Sequence, residues 1–272
     1  MKTLYVTDLD GTLLTPQDDL SPFTRQTLTR LSQAGVAVTY ATARSWMSAH
    51  KATAGWTPSL PVIVYNGAFL ADARTGAPLS TLAFAPAEAA AVQEALQARG
   101  LHPLVYAFVD GRERVSYRAD DVNDGLARYL SLRLHDPRFR PVIDDADLYA
   151  GAPFYFTIIG ERAELQPVYD AFGPQAAYTV LLQQELYRPE YWCEIMPRAA
   201  TKAGGILRLK QEGGFDRVVG FGDALNDLAL FAVCDEAYAV GNAVPELRAA
   251  ATGILQSNEQ DGVARFLAER AL

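Results

Sequence analysis

Residues 8–14 read Asp8-Leu9-Asp10-Gly11-Thr12-Leu13-Leu14 and directly follow the apolar run Leu4-Tyr5-Val6. That run predicts a buried strand, and the two carboxylates come where the strand ends. In an extended segment the side chains of residues i and i+2 point to the same side, so Asp8 and Asp10 are expected to crowd one spot. We expect that spot at the carboxyl edge of a parallel sheet, where open α/β sheets bind ligands.

Two carboxylates so close together repel each other unless something neutralises or separates them. A divalent cation would do so, and so would a division of labour between a nucleophile and an acid/base. The alternative is an exposed Asp-x-Asp-Gly turn, which is common in loops. The buried strand in front of the pair favours the functional interpretation.

Composition limits the classes of protein that this chain can be. Its 272 residues suggest one large or two medium domains. Half of the residues are hydrophobic and the net charge is −8. That charge argues against a nucleic acid held by general electrostatics and against binding to an anionic membrane surface. A small anionic substrate stays open, because a metal ion and a few local donors can invert the local field.

The distribution of cysteines and apolar segments predicts a cytoplasmic protein. Cys193 and Cys234 are far apart and form no Cys-x-x-Cys pattern, which favours free thiols in a reducing compartment. Asp8 and Asp10 interrupt any apolar core of a signal peptide. Residues 52–71 carry no charge, but their glycines and prolines argue against a membrane helix.

The order of predicted elements indicates an α/β fold. Strands alternate with helices at both ends of the chain, which implies right-handed βαβ units and a parallel sheet. The middle differs, because residues 104–109 and 113–117 read as a hairpin across Asp110-Gly111. We therefore predict a Rossmann-like parallel-sheet core from residues 1–83 and 188–272, with an inserted α+β cap domain at 84–187.

Three further polar points follow apolar strands or open helices of the core. Thr42 follows a predicted strand, and its hydroxyl and the next backbone N–H groups suit an anion; taken alone, it fits a plain ST-turn better. Lys202 begins a helix, where a cation opposes the helix dipole. That placement makes sense if the ammonium neutralises a carboxylate and a phosphate, whereas a lone lysine would be a solvated surface residue.

The last polar point is Gly220-Phe221-Gly222-Asp223-Ala224-Leu225-Asn226-Asp227. An apolar strand ends here in a Gly-Asp turn, so Asp223 is placed to be an oxygen ligand of a hard metal ion. Helix N-capping explains Asn226 and Asp227 well. Capping does not explain Asp223, which follows the glycines Gly220 and Gly222.

These points together resemble the motifs of the haloacid dehalogenase-like phosphohydrolases, which read here as Asp8-x-Asp10-Gly-Thr, Thr42, Lys202 and Gly222-Asp-x-x-Asn-Asp227. Other stretches resemble the Cof-type subfamily, in which a large cap is inserted between the second and third motifs. These stretches are Ala41-Thr-Ala-Arg44, Asn66-Gly67-Ala68, Glu194-Ile-Met-Pro197, Gly241-Asn242-Ala243 and Ser257-Asn-Glu-Gln-Asp-Gly-Val263. The resemblance covers essentially the whole chain.

The resemblance implies a role for each motif residue. Asp8 would be the nucleophile that forms an aspartyl-phosphate, and Asp10 would protonate the leaving oxygen and then activate water. Mg²⁺ would be bound by Asp8, the backbone carbonyl of Asp10 and Asp223. Asp227 would be an outer ligand or would orient Lys202. The implied contacts to the transferred phosphoryl group come from Leu9, Thr42, Ala43, Lys202 and Asn226.

Two positions depart from the family pattern. Ala43 and Ala203 stand where the family usually has glycine. Either the methyl group of Ala43 would crowd a phosphate, or the residue would adopt the required backbone angles at little cost. Neither change removes a reactive group, so activity is expected. Near the return to the core, Tyr187, Arg188 and Tyr191 are candidate specificity contacts, although ordinary packing explains any one of them better.

The implied protein is a cytoplasmic Mg²⁺-dependent phosphatase of a small phosphomonoester, either a sugar phosphate or a phosphorylated cofactor. We expect a monomer or a small homo-oligomer. The nearest alternative is a phosphomutase that uses the same aspartyl-phosphate, and a catalytically silent binding protein of this fold is another. A dehalogenase fits less well, because Asp10 and the metal aspartates have no role in that chemistry. The chain has no Gly-x-x-x-x-Gly-Lys-Ser/Thr loop and no Gly-x-Ser-x-Gly elbow.

Overall fold

The computed structural model describes residues 1–184 and 188–272. The chain divides into two compact units. Unit 1 combines Met1–Thr81 with Ala200–Leu272, and unit 2 is Leu82–Ala199. Over the described ranges, no helix combines the length and the apolar character needed to span a membrane.

Helices and strands alternate in unit 1 except at β3, β4 and β5, which follow one another. The elements before the insertion are β1 (Thr3–Thr7), α1 (Pro22–Gln33), β2 (Ala37–Tyr40), α2 (Trp46–Ala52), β3 (Val62–Val64), β4 (Phe69–Ala71) and β5 (Pro78–Thr81). Those of unit 2 are α3 (Pro86–Gln97), β6 (Leu104–Val109), β7 (Arg112–Arg118), α4 (Asp124–Ser131), β8 (Phe139–Val142), α5 (Asp145–Leu148), β9 (Ala152–Gly160), α6 (Arg162–Phe172), β10 (Tyr178–Gln184) and β11 (Tyr191–Pro197). Unit 1 then continues with α7 (Lys202–Gly213), β12 (Arg217–Gly222), α8 (Leu228–Phe231), β13 (Glu236–Ala239), α9 (Pro245–Ala250), β14 (Gly253–Ile254) and α10 (Gly262–Arg270).

The main sheet of unit 1 is parallel and has the strand order β14-β13-β12-β1-β2. The chain builds outward in both directions from β1, which lies between β12 and β2. Open parallel sheets bind ligands at the carboxyl ends of such strands. Strands β3, β4 and β5 form a small antiparallel sheet, and a parallel bridge from Ala41 to Ile63 joins its first strand to the end of β2. The predicted α/β class with a parallel core is confirmed.

Local sequence explains where the elements of unit 1 begin. Ser21 caps α1 by accepting the backbone N–H of Thr24, and Pro22 occupies the first turn, where its missing N–H costs nothing. Leu4 and Val6 on β1 are fully buried. Strands enclosed on both faces need such apolar residues, which is how parallel sheets are covered by helices.

Unit 2 is a six-stranded sheet with the order β10-β11-β9-β6-β7-β8. All of its pairings are antiparallel except that of β7 with β8. Side chains from one face of the sheet, including Val105 and Phe156, share a buried cluster with Leu96 of α3 and Leu165 of α6. The hairpin predicted across Asp110-Gly111 is present as β6 and β7.

The return from unit 2 to unit 1 differs from the predicted position. The expected boundary lies at residue 188, whereas the structure places it between Ala199 and Ala200. The reason is that β11 pairs with β10 on one side and with β9 on the other. Its backbone hydrogen bonds are therefore satisfied inside unit 2, and Tyr191–Pro197 belongs to the sheet of unit 2.

Candidate active site

Asp8 and Asp223 follow two adjacent inner strands of the parallel sheet. Asp8 comes directly after β1, and its backbone N–H donates to the carbonyl of Phe221 at 3.0 Å. Asp223 comes directly after β12, which pairs with β1 in parallel. Parallel neighbours end at the same edge of the sheet, so the sequence pattern brings these two carboxylates together.

Lys202 presents its ammonium group to the same edge. Thr201 caps α7 by accepting the backbone N–H of Gly204 at 2.9 Å, which makes Lys202 the first residue of the helix. The side chain of Lys202 is 2% exposed. Its Nζ lies 2.6 Å from Oδ1 of Asp8 and 2.7 Å from Oδ1 of Asp227. Burial alone would lower the pKa of Lys202, but Asp227 and Asp8 outweigh it and raise that pKa.

Asp227 is fully buried and uses both of its carboxylate oxygens within the protein. Oδ1 accepts from Lys202, and Oδ2 accepts the backbone N–H groups of Asp223 and Ala224 at 3.0 and 3.2 Å. Asp227 thus stabilises the turn that carries Asp223 while it holds the ammonium group. A side chain at Gly222 would place its Cβ 2.7 Å from Asp227 atoms, which explains glycine at that position.

Three carboxylates come together around this ammonium group. One oxygen each of Asp8, Asp223 and Asp227 lies within 4.8 Å of the others. Burial, assisted by repulsion from Asp227, raises the pKa of Asp223 to about 6. Burial also raises the pKa of Asp8, although Lys202 opposes this effect. The cluster is therefore short of positive charge.

This donor set fits a hard divalent cation. Carboxylate oxygens are the ligands that Mg²⁺ and similar ions prefer, and a cation would relieve the repulsion among the aspartates. Thr12 further orients Asp223 by donating its hydroxyl to Oδ1 at 2.9 Å. A Cβ at Gly11 would lie 2.3 Å from Oδ2 of Asp223, and Gly11 has a φ of +67°. Glycine is thus required for the close approach of this loop to Asp223.

Asp10 is oriented differently from Asp8. Strand β1 ends at Thr7, and the carbonyl of Leu9 accepts the N–H groups of Leu13 and Leu14, so the chain turns immediately after the strand. Asp10 still lies close enough to Asp8 and Asp223 that its negative charge contributes to the rise of both of their pKa values. The side chain of Asp10 is 54% exposed and binds the guanidinium of Arg44, whereas Asp8 is buried against Lys202.

Thr42 is fully buried at the end of β2. Its Oγ1 accepts the backbone N–H of Arg44 at 3.1 Å, as in an ST-turn. That bond does not commit the hydroxyl hydrogen, so Thr42 keeps a donor for a bound anion. Helix α2 begins later, with Ser45 as its N-cap.

The other expected phosphate contacts have distinct environments. The side chain of Leu9 is fully buried, so only its backbone can contact a ligand. Ala43 is not among the described residues with positive φ, so its methyl group imposes no backbone strain. Ala203 lies in the first turn of α7, where alanine favours the helix more than glycine does. Oδ1 of Asn226 is buried without a hydrogen-bond partner among the described residues, which leaves an acceptor for a donor on a bound molecule.

Several supporting residues had no role assigned from sequence. Asn242 donates its side-chain amide to the carbonyl of Gly11 at 2.7 Å, and Asn258 donates to the carbonyl of Leu14 at 2.9 Å. Gly67 has a φ of +98°, and a Cβ there would lie 2.0 Å from the carbonyl oxygen of Thr201. In the sequence these residues are visible only as members of the quoted Asn-Gly-Ala, Gly-Asn-Ala and Ser-Asn-Glu stretches. Asn242 and Asn258 stabilise the loop that follows Asp10, and Gly67 packs against the start of α7.

The candidate specificity residues lie in unit 2. Arg188 is exposed, and its carbonyl accepts from the side-chain amide of Gln184. The hydroxyl of Tyr191 donates to Oε1 of Gln184 at 3.2 Å, and the guanidinium of Arg162 lies 5.8 Å from its ring. Tyr187 lies outside the described residues.

Comparison with known proteins places this geometry in a family. The sequence model of haloacid dehalogenase-like hydrolases matches residues 5–267. The 5-amino-6-(5-phospho-D-ribitylamino)uracil phosphatase of Bacillus subtilis is 24% identical over 98% of this chain and 97% of its own. The pyridoxal phosphate phosphatase of Escherichia coli is 25% identical over 96% and 95% of the two chains. A haloacid dehalogenase-like hydrolase from Bacteroides thetaiotaomicron has the same fold, with a TM-score of 0.80, 22% identity and full coverage of both chains.

The chain therefore belongs to the haloacid dehalogenase-like hydrolases, as its motifs predicted. Within that family it is an enzyme of the phosphatase type. Its buried aspartate cluster is able to hold a divalent metal ion.

Proposed function

We propose that this enzyme is a Mg²⁺-dependent phosphatase that hydrolyses small phosphomonoesters through an aspartyl-phosphate on Asp8. One observation carries the proposal: Asp8 meets the ammonium of Lys202 at 2.6 Å inside a cluster that Asp223 and Asp227 complete. Phosphoryl transfer depends mainly on positioning and on neutralising charge. A buried carboxylate beside one fixed cation and two further carboxylates suits that requirement.

In the first step, an oxygen of Asp8 attacks phosphorus while the bond from phosphorus to the leaving oxygen breaks. Asp10 gives its proton to that oxygen, so the alcohol leaves neutral. Lys202 favours the ionised form of Asp8, and its positive charge offsets the charge on the transferring group. The product of this step is an acyl phosphate on Asp8, a mixed anhydride of its carboxylate and phosphate.

In the second step, water attacks the phosphorus of the aspartyl-phosphate. Asp10, now a carboxylate, takes a proton from that water. The bond between phosphorus and the Asp8 oxygen breaks, which frees inorganic phosphate and restores the carboxylate. One residue thus acts first as acid and then as base.

Mg²⁺ would be held by Asp8, Asp223 and the backbone carbonyl of Asp10, where it supplies positive charge to the phosphoryl oxygens. Both carboxylate oxygens of Asp227 already accept hydrogen bonds, one from Lys202 and the other from backbone N–H groups. Of its two expected roles, these contacts favour orienting Lys202. The proposed contacts to the phosphoryl group are donors: the hydroxyl of Thr42, the backbone N–H groups of Leu9 and Ala43, and the side-chain NH2 group of Asn226.

We propose that the inserted module selects the leaving group and that the substrate is a sugar phosphate or a phosphorylated cofactor. The two relatives named for a phosphoribitylamino-uracil and for pyridoxal phosphate support the second class. A cytoplasmic location and a monomer or small homo-oligomer remain part of the proposal. Both cysteines are free thiols, which suits a reducing compartment.

The test is release of inorganic phosphate from an aryl phosphate, a panel of sugar phosphates, pyridoxal phosphate and a phosphoribityl compound. Each is assayed with Mg²⁺, with excess chelator, and with chelator followed by Mg²⁺. We expect release that chelator abolishes and Mg²⁺ restores. Phosphate that appears on an added sugar instead of in solution would indicate the mutase, and no reaction with any compound would contradict the proposal.

A further inference from the structure

The guanidinium of Arg44 joins two carboxylates at the edge of the site. Nε donates to Oδ2 of Asp10 at 2.8 Å, and Nη2 donates to Oδ1 of Asp10 at 2.5 Å. On its other side the group donates from Nη1 to Oδ2 of Asp18 at 3.2 Å and from Nη2 to Oδ1 of Asp18. The contact with Asp10 uses two parallel bonds, the geometry that fixes a carboxylate most firmly.

Arg44 is the better anchored partner of Asp10. Its side chain is 17% exposed, against 54% for Asp10 and 60% for Asp18. Its backbone N–H donates to Oγ1 of Thr42, and its carbonyl accepts the N–H of Tyr65 at 2.9 Å. An exposed aspartate samples several side-chain rotamers, and pairing with an anchored guanidinium restricts them.

The charges at this edge of the sheet also explain why Asp10 is paired with a cation. Four aspartates, at positions 8, 10, 223 and 227, stand against the two cations Lys202 and Arg44. Asp18, which also binds Arg44, is a fifth carboxylate, so the aspartates outnumber the two cations by three, and a divalent cation would offset most of this excess negative charge. Both oxygens of Asp227 are committed, and Lys202 already binds Asp8 and Asp227. Arg44 is thus the cation that Asp10 binds.

We propose that Arg44 is a positioning residue for acid/base catalysis: it holds the carboxylate of Asp10 in place, and Asp18 holds the guanidinium from behind. The inference rests on the proposed function, because it assigns Arg44 to the proton transfer by Asp10. Arg44 itself keeps its protons throughout. When one oxygen of Asp10 carries the transferred proton, the other still accepts from Arg44, so the pair persists through the step.

The experiment compares Arg44→Ala and Arg44→Lys with the parent on two substrates in saturating Mg²⁺. One is an alkyl phosphate, whose leaving oxygen needs a proton, and the other is an aryl phosphate with a good leaving group. The rate of leaving-group release in the first turnover isolates the first chemical step. We expect Arg44→Ala to slow the alkyl phosphate by about 10- to 100-fold, the loss that a misplaced acid causes, and the aryl phosphate by much less.

Two further variants sharpen the comparison. Arg44→Lys keeps the charge but not the two parallel bonds, so it should fall between the parent and Arg44→Ala. Asp18→Asn leaves the contact between Arg44 and Asp10 intact, so it should shift the ratio of the two rates in the same direction but less. Arg30→Ala removes an exposed arginine from the last turn of α1; it is the control and should leave both rates unchanged.

Thermal unfolding of every variant separates folding from chemistry. If Arg44→Ala does not fold, Arg44→Lys and Asp18→Asn still report the change in the ratio of rates. An equal loss on both substrates, or a raised KM with an unchanged first-turnover rate at saturation, would overturn the positioning role. A parent protein that hydrolyses neither substrate would refute the proposed function first, and the inference with it.

Discussion

Lys202 and Asp8 form a buried ion pair, with Nζ 2.6 Å from Oδ1, although 194 residues separate them in the chain. The same ammonium lies 2.7 Å from Oδ1 of Asp227. Buried charges are stable only when they are paired. The pair therefore joins the first and third motifs of the site and contributes to the folding of unit 1.

Replacing Lys202 with Met is predicted to destabilise the protein strongly. The change leaves Asp8 and Asp227 buried without their cation, a situation that costs about 3–5 kcal/mol. Chemical unfolding at neutral pH in the presence of chelator measures the loss. Lys210→Met is the matched control on the same helix. Its contact with Asp235 is 3.4 Å long and partly exposed, so it should cost about 0–1 kcal/mol. Equal losses for the two variants would contradict the account.

Asp223→Asn is predicted to remove most of the stabilisation that Mg²⁺ gives. A ligand that binds only the folded state raises its stability by about 2.7 kcal/mol when its concentration is 100 times Kd. The parent should therefore show a higher Tm in Mg²⁺ than in chelator. Asp216→Asn is the control, because Asp216 accepts from the backbone N–H of Lys2 and lies outside the cluster. An unchanged Mg²⁺ response in Asp223→Asn would exclude this residue as a ligand.

Asn242 is predicted to support the Asp10 loop from behind. Its amide donates to the carbonyl of Gly11, and its Oδ1 accepts the N–H of Asn258 at 3.0 Å. Asn242→Asp keeps the acceptor, loses the donor and sets a carboxylate oxygen against the carbonyl of Gly11, so it should lower kcat and cost at least about 1 kcal/mol in unfolding free energy, the usual value of one hydrogen bond. Steady-state kinetics and chemical unfolding report both effects. Parent-like values for Asn242→Asp would show that the contact with Gly11 is unimportant.

Glu194 is predicted to make the stability of the protein fall as the pH rises. Burial raises its pKa from 4.5 to about 7, although a hydrogen bond with Tyr155 partly opposes this. Between those values the folded protein holds a proton that the unfolded chain has lost, so unfolding becomes easier with rising pH. Relative to Glu194→Gln, the parent should lose up to about 3 kcal/mol across this window and little beyond it. A difference between the two proteins that does not vary with pH would rule this out.

Sequence predicts the centre of the site because strand ends are readable from pattern. The apolar runs before Asp8 and Asp223 mark two strands, and parallel strands end at one edge. The helix-opening position of Lys202 is visible for a similar reason. What the pattern does not show is the partner of a side chain beyond the strand: the sequence places Asp10 near Asp8 but does not indicate that its carboxylate binds the guanidinium of Arg44.

The other features that the sequence did not predict also depend on contacts between residues far apart in the chain. Arg44 and Asn242 were visible only as members of motifs, because a long or amide side chain reaches partners that local periodicity does not specify. The end of the insertion was expected at residue 188, but strand pairing sets it. β11 looks like any other strand in the sequence, and only its neighbours β9 and β10 assign it to unit 2.

The central claim is that Asp8 becomes covalently phosphorylated, and acid quench after a single turnover with radiolabelled aryl phosphate tests it most directly. Asp10→Asn should retain Mg²⁺ binding but slow proton transfer by about 10²–10⁴-fold, so labelled protein should accumulate with this substrate. Asp8→Asn should carry no label and show no turnover, because the amide is not a nucleophile. Acid-stable label on Asp8→Asn, or an Asp10→Asn protein as fast as the parent on alkyl phosphates, would contradict the account.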